Sequence, residues 1–170
     1  KNIVDYTGVV LRFSTAFGLS PRMRFDLSIS EFVKEMYDGK ELEVYDEHTW
    51  RPYCHVRDFA RLLDLVINSE KEKINFEVFN AGGDINNSTK KMLIDEIMAH
   101  LPNAKVTYSA NGNDPRNYKV SFKKVKETLG FEPKYSINDG VKELIEALDL
   151  GLYNDFAVNK NKYGNYNINY

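Results

Sequence analysis

Two arginines have neighbours that favour anion binding. Arg51 follows Trp50 at the start of the segment 50–58, and Arg116 follows a turn that ends in Pro115. A guanidinium is a rigid fork of N–H donors that can meet two anionic oxygens at once. Each such bond contributes roughly 1.5–3 kcal/mol where water is excluded. The alternatives are a surface Arg51 packed on an aromatic neighbour and a solvated loop charge at Arg116.

Cys54 and His55 do not indicate nucleophilic catalysis. Adjacent residues of an extended segment point to opposite faces, and no third catalytic partner is evident in the sequence. The three histidines, His48, His55 and His100, lack the spacing of a zinc site, which needs several ligands at close quarters. We therefore predict neither a catalytic residue nor a metal ligand in these 170 residues.

The elements that must position the two arginines alternate between strands and helices. The apolar run 9–13 predicts a parallel strand that is covered on both faces, with a loop at 16–21. Further strands are predicted at 76–80, at 105–108 and, more weakly, at 42–45. Alternation of this kind indicates an α/β domain. Apolar residues at helical spacing predict five helices, over 29–36, 59–66, 93–101, 122–129 and 141–148.

Polar residues mark where the predicted helices begin. Ser88 or Thr89 can cap the third helix, Ser121 is expected to cap the fourth, and Asn138 opens the last. Asp58 lies near the start of the second helix, where a carboxylate complements the helix dipole. Residues 1–150 therefore predict one folded portion.

From about residue 151 the regular pattern ends. The last twenty residues are rich in Asn, Lys and Tyr, and we predict that 151–170 is a flexible tail or an arm that becomes ordered on a partner.

Composition excludes several classes of protein. A net charge of −2 and a pI of about 6.0 argue against a nucleic-acid binder, which usually carries a basic stripe. No run approaches the ~18 apolar residues that span a membrane, so no membrane partner is predicted. A single cysteine cannot form an intrachain disulfide, which favours a reducing compartment and a cytoplasmic location.

Four motifs in order resemble the extended short-chain dehydrogenase/reductases, specifically the C-terminal part of the NAD-dependent nucleotide-sugar epimerase/dehydratase family. The resemblance covers about residues 7–150 and extends to the helix around Val141. The motifs are Leu11-Arg12 with Gly18, Arg51-Pro-Tyr-Cys-His-Val-Arg-Asp58, Phe79-Asn-Ala-Gly-Gly83, and Tyr118 through Leu129-Gly-Phe-Glu-Pro133.

The resemblance implies a fold and a cofactor. The fold would be the late strands and helices of a Rossmann-type parallel sheet plus a small α/β substrate-binding domain. The parent protein would use NAD or NADP, and a homodimer is one option for it. The family's glycine-rich cofactor loop and Tyr-x-x-x-Lys pair do not occur in this sequence. We therefore expect a fragment that lacks an N-terminal cofactor-binding half and does not hold NAD tightly alone.

The resemblance also implies roles for the charged residues. Arg51 matches a ligand of the nucleotide diphosphate, Arg116 matches a second phosphate-binding arginine, and Asp114 would meet a ribose hydroxyl. Asp26 matches a position where the family often has an asparagine that contacts phosphate. A carboxylate would repel that phosphate, so helix capping is the alternative that we favour for Asp26.

Three residues on the first predicted strand and loop complete the implied site. Thr15 matches an asparagine that faces the sugar, although a threonine lacks the amide donor. Phe13 and Ser14 match positions at the nicotinamide end of the cofactor, or they are core residues at the end of a strand.

These observations lead to one principal hypothesis and two alternatives. The chain is the substrate-binding part of an NAD(P)-dependent nucleotide-sugar epimerase or dehydratase, and its partner molecule is a nucleotide-diphosphate sugar. One alternative is a non-catalytic, truncated binding or assembly module of the same fold. The other is a reductase that acts on a substrate without a nucleotide.

Overall fold

Strands and helices alternate along the chain, which confirms the predicted α/β class. The structure is a computed structural model, and it describes residues 6–110, 112 and 115–165. The strands are β1 (Val9–Phe13), β2 (Thr15–Phe17), β3 (Glu41–Tyr45), β4 (Trp50–His55), β5 (Glu77–Ala81), β6 (Asn87–Thr89) and β7 (Lys105–Ser109). The helices are α1 (Ser28–Tyr37), α2 (Val56–Ile67), α3 (Lys71–Ile74), α4 (Lys90–Met98), α5 (Lys123–Leu129) and α6 (Ile137–Asp149).

The strands of the described residues form three small sheets. Strand β1 pairs with β5, and β3 pairs with β7, each in parallel. In the third sheet β4 lies between β2, to which it is parallel, and β6, to which it is antiparallel. Parallel pairing is what alternating strands and helices predict.

Strand β4 changes partner at Pro52. Its first three residues pair with β6, and Tyr53, Cys54 and His55 pair with β2. Proline has no N–H to donate to a ladder and is disfavoured inside a central strand. Here it lies where one pairing ends and the other begins, so β4 tolerates it. The sequence pattern did not predict this strand.

Two hydrophobic cores hold the elements together. The larger core joins α1, α4 and α6 to β2, β3 and β4. The smaller core packs α2 and α5 against β5 through Leu62, Phe79 and Val125. Strand β1 is less covered than predicted, because Val10 is 53% exposed and Phe13 is 49% exposed. Within the described chain, the expectation that both faces of β1 are covered is therefore wrong.

The helix starts agree with the sequence in part. Thr89 is the cap of α4, and its side chain accepts a hydrogen bond from the third residue of the helix. Helix α6 begins earlier than predicted, because Ser136 and Asp139 form a reciprocal capping box that places Asn138 inside the first turn. Ser121 lies one residue before the cap position of α5.

The segment 151–165 differs from the predicted flexible tail. It contains turns and a short 3₁₀ helix, Lys160–Tyr163. Tyr163 is buried against the rings of Phe25 and Tyr153. The backbone N–H of Phe25 also donates to the carbonyl of Tyr163 at 2.8 Å. These two ring contacts and the backbone hydrogen bond therefore hold a segment whose composition suggested disorder. Residues 166–170 of the predicted tail lie outside the described residues. In the part of the chain that the structure describes, every helix is too short or too polar to span a bilayer.

Candidate functional site

The two arginines that the sequence singled out meet in the structure. Arg51 lies on β4 and is half-buried, while Arg116 is exposed in the segment between β7 and α5. The Arg51 guanidinium donates to the carbonyl oxygen of Arg116, and its Nη1 also donates to the carbonyl of Trp50 at 2.8 Å. Two cationic residues, 65 positions apart in the sequence, therefore lie at one place on the surface.

The segment that carries Arg116 is fastened to the start of β4. The backbone N–H of Tyr118 donates to the carbonyl of Trp50 at 3.3 Å, and the Trp50 N–H donates to Oδ1 of Asn117 at 3.0 Å. The Arg51 guanidinium also lies 5.4 Å from the centre of the Tyr118 ring. Tyr118 is thus an aromatic partner of Arg51, one that the surface alternative did not name.

A second tether holds the continuation of this segment. The Asn87 side chain on β6 donates to the carbonyl of Val120 at 2.9 Å and accepts from the N–H of Val120 at 3.2 Å. The two bonds imitate one step of strand pairing. They hold the segment beside the sheet although it forms no strand there. Asp114, the predicted ribose contact, lies outside the described residues.

One cavity adjoins the arginines on the side of Thr49. It has a volume of about 530 Å³ and combines carboxylates with aromatic and hydroxyl groups. Its size is within the range of small-molecule sites. We call it the Tyr108 cavity, and it is lined by Asp46, Glu47, His48, Thr49, Tyr108, Ser109, Ala110 and Asn117.

A second cavity adjoins the arginines on the side of Pro52. It has a volume of about 400 Å³, and it contains the predicted cofactor-facing residues Phe13 and Ser14. Arg51 stands in the sequence between Thr49, which lines the first cavity, and Pro52, which lines the second. We call this one the Lys119 cavity, and it is lined by Arg12, Phe13, Ser14, Pro52, Asn80, Tyr118, Lys119, Val120 and Ser121.

The end of β1 fixes Phe13 and Ser14 in different ways. The Phe13 ring meets the Phe59 ring of α2 edge to face at 4.7 Å and remains half exposed. Both the backbone N–H and the hydroxyl of Ser14 donate to the carbonyl of Ala81, at 3.2 and 2.9 Å. Gly82 follows with φ 154°, and a Cβ there would lie 2.7 Å from the Ser14 oxygen. Close approach of the two loops therefore requires glycine at position 82.

Thr15 lies on β2, the strand that pairs with the second half of β4, and Arg51 lies in the first half of β4. It pairs in register with Tyr53 of β4 and is half-buried. The Tyr53 hydroxyl lies 3.0 Å from the Ser28 hydroxyl. Burial raises the pKa of Tyr53, although this hydrogen bond and the charge of Arg51 oppose the rise. Tyr53 thus remains a neutral core residue behind the site.

Asp26 does not cap a helix, so the favoured interpretation of this residue is wrong. The N-terminal cap position of α1 is Leu27, which makes no side-chain capping bond. The Asp26 carboxylate instead receives two hydrogen bonds from the Arg24 guanidinium, at 2.9 and 2.6 Å. This hydrogen bonding is the main reason why the pKa of Asp26 is lowered. The Asp26 carboxylate is therefore bound by the Arg24 guanidinium and does not serve as the cap of α1.

The surroundings of Cys54 and His55 fit structural roles and not nucleophilic catalysis. Burial raises the pKa of the Cys54 thiol to about 12, so the thiol stays protonated at neutral pH and is a poor nucleophile. The buried His55 is the cap of α2, and its Nδ1 accepts from the N–H of Arg57 at 3.1 Å. Its Nε2 lies 3.0 Å from the Glu143 carboxylate. The described residues contain no cluster of three or more potential metal ligands.

Lys119 and Asn117 are site residues that the sequence analysis missed. The sequence feature that could have identified them is the alternation of polar and aromatic residues in Asn117-Tyr118-Lys119. The pair Trp50-Arg51 has a similar pattern. The pattern is too short to be recognised without knowing that the two segments are neighbours.

Comparison with known proteins matches residues 4–82 to the NAD dependent epimerase/dehydratase family. A UDP-glucuronate 4-epimerase of Thermodesulfobacterium geofontis is 30% identical over 140 residues, which are 80% of this chain and 41% of the relative. A dTDP-glucose 4,6-dehydratase of an Actinoplanes species is 28% identical over 141 residues, which are 81% of this chain and 42% of the relative.

A solved structure has a similar fold. The UDP-glucose 4-epimerase of Thermotoga maritima, crystallised with UDP-glucose, superposes with a TM-score of 0.71 at 26% identity. The match covers 85% of this chain and 46% of the epimerase. The chain thus spans less than half the length of the relatives that it matches.

Proposed function

Because the chain belongs to the NAD-dependent epimerase/dehydratase family, we propose that it is the substrate-binding part of a nucleotide-sugar epimerase or dehydratase. Arg51 and Arg116 bind the diphosphate of the nucleotide sugar. The observation that carries this proposal is the contact between the Arg51 guanidinium and the Arg116 backbone. It brings the segments that carry the two arginines together, and paired phosphoryl groups have the charge that two guanidiniums would bind.

The neighbouring residues fit the two ends of such a substrate. The Tyr108 cavity offers aromatic and hydroxyl groups for a nucleoside, and Asp114 would contact its ribose. The Lys119 cavity, which is lined by Pro52 next to Arg51 in the sequence, would receive the sugar, with Thr15 contributing a hydroxyl. Asp26 is a weaker candidate for substrate contact, because Arg24 already occupies its carboxylate.

For the cofactor, this chain supplies one wall. The half-exposed Phe13 ring and Ser14 would lie at the nicotinamide end of NAD or NADP, which supplies hydride transfer in this family. The sequence has no glycine-rich phosphate loop and no Tyr-x-x-x-Lys pair. The residues of this chain therefore bind and orient the substrate, and we assign no catalytic residue among them.

The remaining partner would be an N-terminal cofactor-binding half. Strand β1 pairs with β5 alone among the described strands, and Val10 leaves one face of this pair exposed. Parallel sheets are normally covered on both faces, so a helix would cover this face, and a further strand would pair at the edge that β1 forms among the described strands. Mass spectrometry of the protein isolated from its source tests this point. A mass near 19.7 kDa, with no second polypeptide bound, would contradict it.

Calorimetry on the 170-residue chain tests the diphosphate site. We expect UDP or dTDP to bind at least about tenfold more tightly than the nucleoside without phosphates. Arg51→Ala should weaken diphosphate binding by about 10–100-fold, which corresponds to one charge-assisted bond. Lys123→Ala is the matched control, because Lys123 is exposed on α5 and pairs only weakly with Glu127 at 3.7 Å. Equal affinities for the nucleoside and its diphosphate would refute the proposal.

The exposed apolar residues also support a second candidate function. Leu63 and Ile67 follow Phe59 at four-residue intervals along α2, and both are exposed. An apolar stripe of this kind is a common feature of protein–protein interfaces. In a non-catalytic assembly module this stripe would bind a partner protein, and no nucleotide would bind near Arg51. The same calorimetric titration therefore separates the two functions, which would both operate in the cytoplasm.

A further inference from the structure

The segment 152–165, which we call the strap, packs against the irregular loop between β2 and α1. Residues 18–27 of this loop form neither a helix nor a strand. The side chain at the centre of the contact is Phe25, which is 6% exposed. Its ring centre lies 5.3, 5.1 and 5.7 Å from those of Tyr153, Phe156 and Tyr163. Aromatic pairs at such distances stabilise each other beyond the apolar area that they bury.

Two hydrogen bonds fasten the strap to the same loop. The backbone N–H of Phe25 donates to the carbonyl of Tyr163 at 2.8 Å. Nη2 of Arg22 donates to the carbonyl of Gly164 at 2.7 Å. Within the strap, the Tyr163 hydroxyl donates to the Asp155 carboxylate, so the end of the strap is folded back on its own middle. Rings and backbone groups of the strap therefore hold one short stretch of the loop.

The other end of the loop is held by α6. The N–H of Leu19 donates to the Glu143 carboxylate at 3.1 Å, and the same carboxylate lies 3.0 Å from Nε2 of His55. The stretch 20–24 therefore lies between an anchor at Leu19 and the strap at Phe25. Because this stretch belongs to no helix or strand, it can move without breaking regular backbone pairing, as the low-stability parts of proteins do.

A small cavity adjoins this loop. Ser20, Met23 and Leu27 line it from the loop, and Ala16 of β2 and Ser30 of α1 line it from the neighbouring elements. Its volume is about 90 Å³, well below the ~300 Å³ at which small-molecule sites begin. Ser30 is only 3% exposed. The loop, in the position that the strap gives it, therefore keeps this end of β2 closed.

We propose that residues 18–27 are a lid and that the strap holds this lid closed. When the strap detaches, the loop moves away from α1 and opens the end of β2, where Ala16 follows the proposed sugar contact Thr15. The strap lies beyond the residues 7–150 that resemble the epimerase/dehydratase family. The inference concerns access to this part of the fold. It goes beyond the proposed function and does not depend on which ligand the chain binds.

Thiol labelling of the 170-residue chain tests the lid. Ser30→Cys places a thiol in the wall of the cavity, and its rate of reaction with a disulfide reagent measures how often the lid opens. The natural Cys54 is the internal reference, because it is fully buried outside this cavity. Labelling of Cys54 therefore reports unfolding of the whole chain, and labelling of the new thiol alone reports the lid.

Variants of the strap should change this rate in the Ser30→Cys chain. Phe156→Ala removes one ring beside Phe25 from a partly buried position, and it should accelerate labelling about tenfold while Cys54 stays unlabelled. Tyr163→Ala removes a side chain that is 3% exposed and should have a larger effect. Val158→Ala is the matched control in the same segment. Val158 is 82% exposed, and its truncation should change the rate by less than about twofold.

Two results of the labelling would overturn the proposal. If neither Phe156→Ala nor Tyr163→Ala accelerates labelling, the strap does not hold the lid. If Cys54 reacts as fast as the new thiol, the chain opens as a whole and the strap is an ordinary part of the core. None of these measurements uses a nucleotide, so their outcome is separate from that of the proposed function.

Limited trypsin digestion shows which segment moves. Cleavage of a folded chain follows the population of its open form. Phe156→Ala should increase cleavage after Arg22 and Arg24 in the loop. Increased cleavage after Lys160 and Lys162 alone would mean that the strap detaches while the loop stays closed, and it would also overturn the proposal.

Discussion

Asp58→Asn is the substitution that should most disturb the support of the site. The side chain is fully buried at the start of α2, directly after the strand that carries Arg51. Its carboxylate accepts from the N–H of Lys134 at 3.0 and 3.1 Å and from the N–H of Tyr135 at 3.0 Å. It also forms an ion pair with Arg61. One carboxylate thus ties the loop before α6 to the end of β4.

The expected cost follows from what an amide can and cannot accept. Asparagine has one acceptor oxygen, so its NH₂ group would replace Oδ1 and face the Lys134 N–H instead of accepting from it. Losing a hydrogen bond to a charged acceptor in this way costs about 1–3 kcal/mol. The ion pair with Arg61, whose side chain is 35% exposed, adds less than about 1 kcal/mol. We therefore expect Asp58→Asn to lower the free energy of unfolding by about 1–4 kcal/mol.

Urea unfolding, followed by Trp50 fluorescence and circular dichroism, measures this difference. With a slope of about 2 kcal/mol per molar urea, the midpoint should fall by about 0.5–2 M. Asp64→Asn is the control on the same helix, because Asp64 is exposed, and its substitution should change stability by less than about 0.5 kcal/mol. If the two variants unfold at the same urea concentration, the carboxylate does not hold the loop and the reasoning is wrong.

Two other predictions concern the surroundings of β4. Gly18 has φ 96° and a Cβ there would collide with the His55 ring, whereas Gly39 has φ 72° and open space around it. Gly18→Ala should therefore destabilise the chain by at least about 1 kcal/mol more than Gly39→Ala in the same urea assay, and equal effects would contradict the collision. The Cys54 thiol, with its pKa raised to about 12, should not react with a disulfide reagent at pH 8 until the chain unfolds, and labelling as fast as that of a free thiol would contradict its burial. The thiol pKa is higher in the folded chain than its ordinary value of 9.0, so the unfolded chain loses the thiol proton first as the pH rises. The stability that the protonated thiol contributes below pH 9.0 is therefore lost as the pH rises towards 12. Cys54→Ala has no thiol and should lose less stability than the unsubstituted chain over that interval.

Elements with a strong local period were predictable from the sequence. The spacing of Leu93, Ile94 and Ile97 identifies α4, and all three residues are fully buried. The same holds for α6, although its capping box begins at Ser136, two residues before Asn138. Local hydrogen bonding of this kind is encoded within four residues, which is why the error at the start of α6 is small.

Elements that depend on distant partners were not predictable. Strand β4 has no alternating pattern and contains Pro52, and it exists because two different strands pair with its two halves. The segment 151–165 has a polar composition, yet Tyr163 becomes buried because Phe25 lies more than 130 residues earlier in the chain and close in space. Neither partner can be inferred from the residues around the element itself.

The candidate site lies between these two cases. Its residue types were evident, since Arg51 stands in a recognisable motif, but its geometry depends on the contact between the start of β4 and the segment at 116–120. That contact is made by Asn117, Asn87 and the Trp50 backbone. It places the Arg51 guanidinium at the Arg116 carbonyl, and it places the Lys119 ammonium group over the Trp50 ring. Because the same two segments place both pairs, loss of the Asn87 side chain should disturb both together. Asn87→Ala should therefore weaken diphosphate binding and alter Trp50 fluorescence in one step. If Asn87→Ala changes only diphosphate binding or only Trp50 fluorescence, the Arg51–Arg116 contact and the Lys119–Trp50 contact are positioned independently.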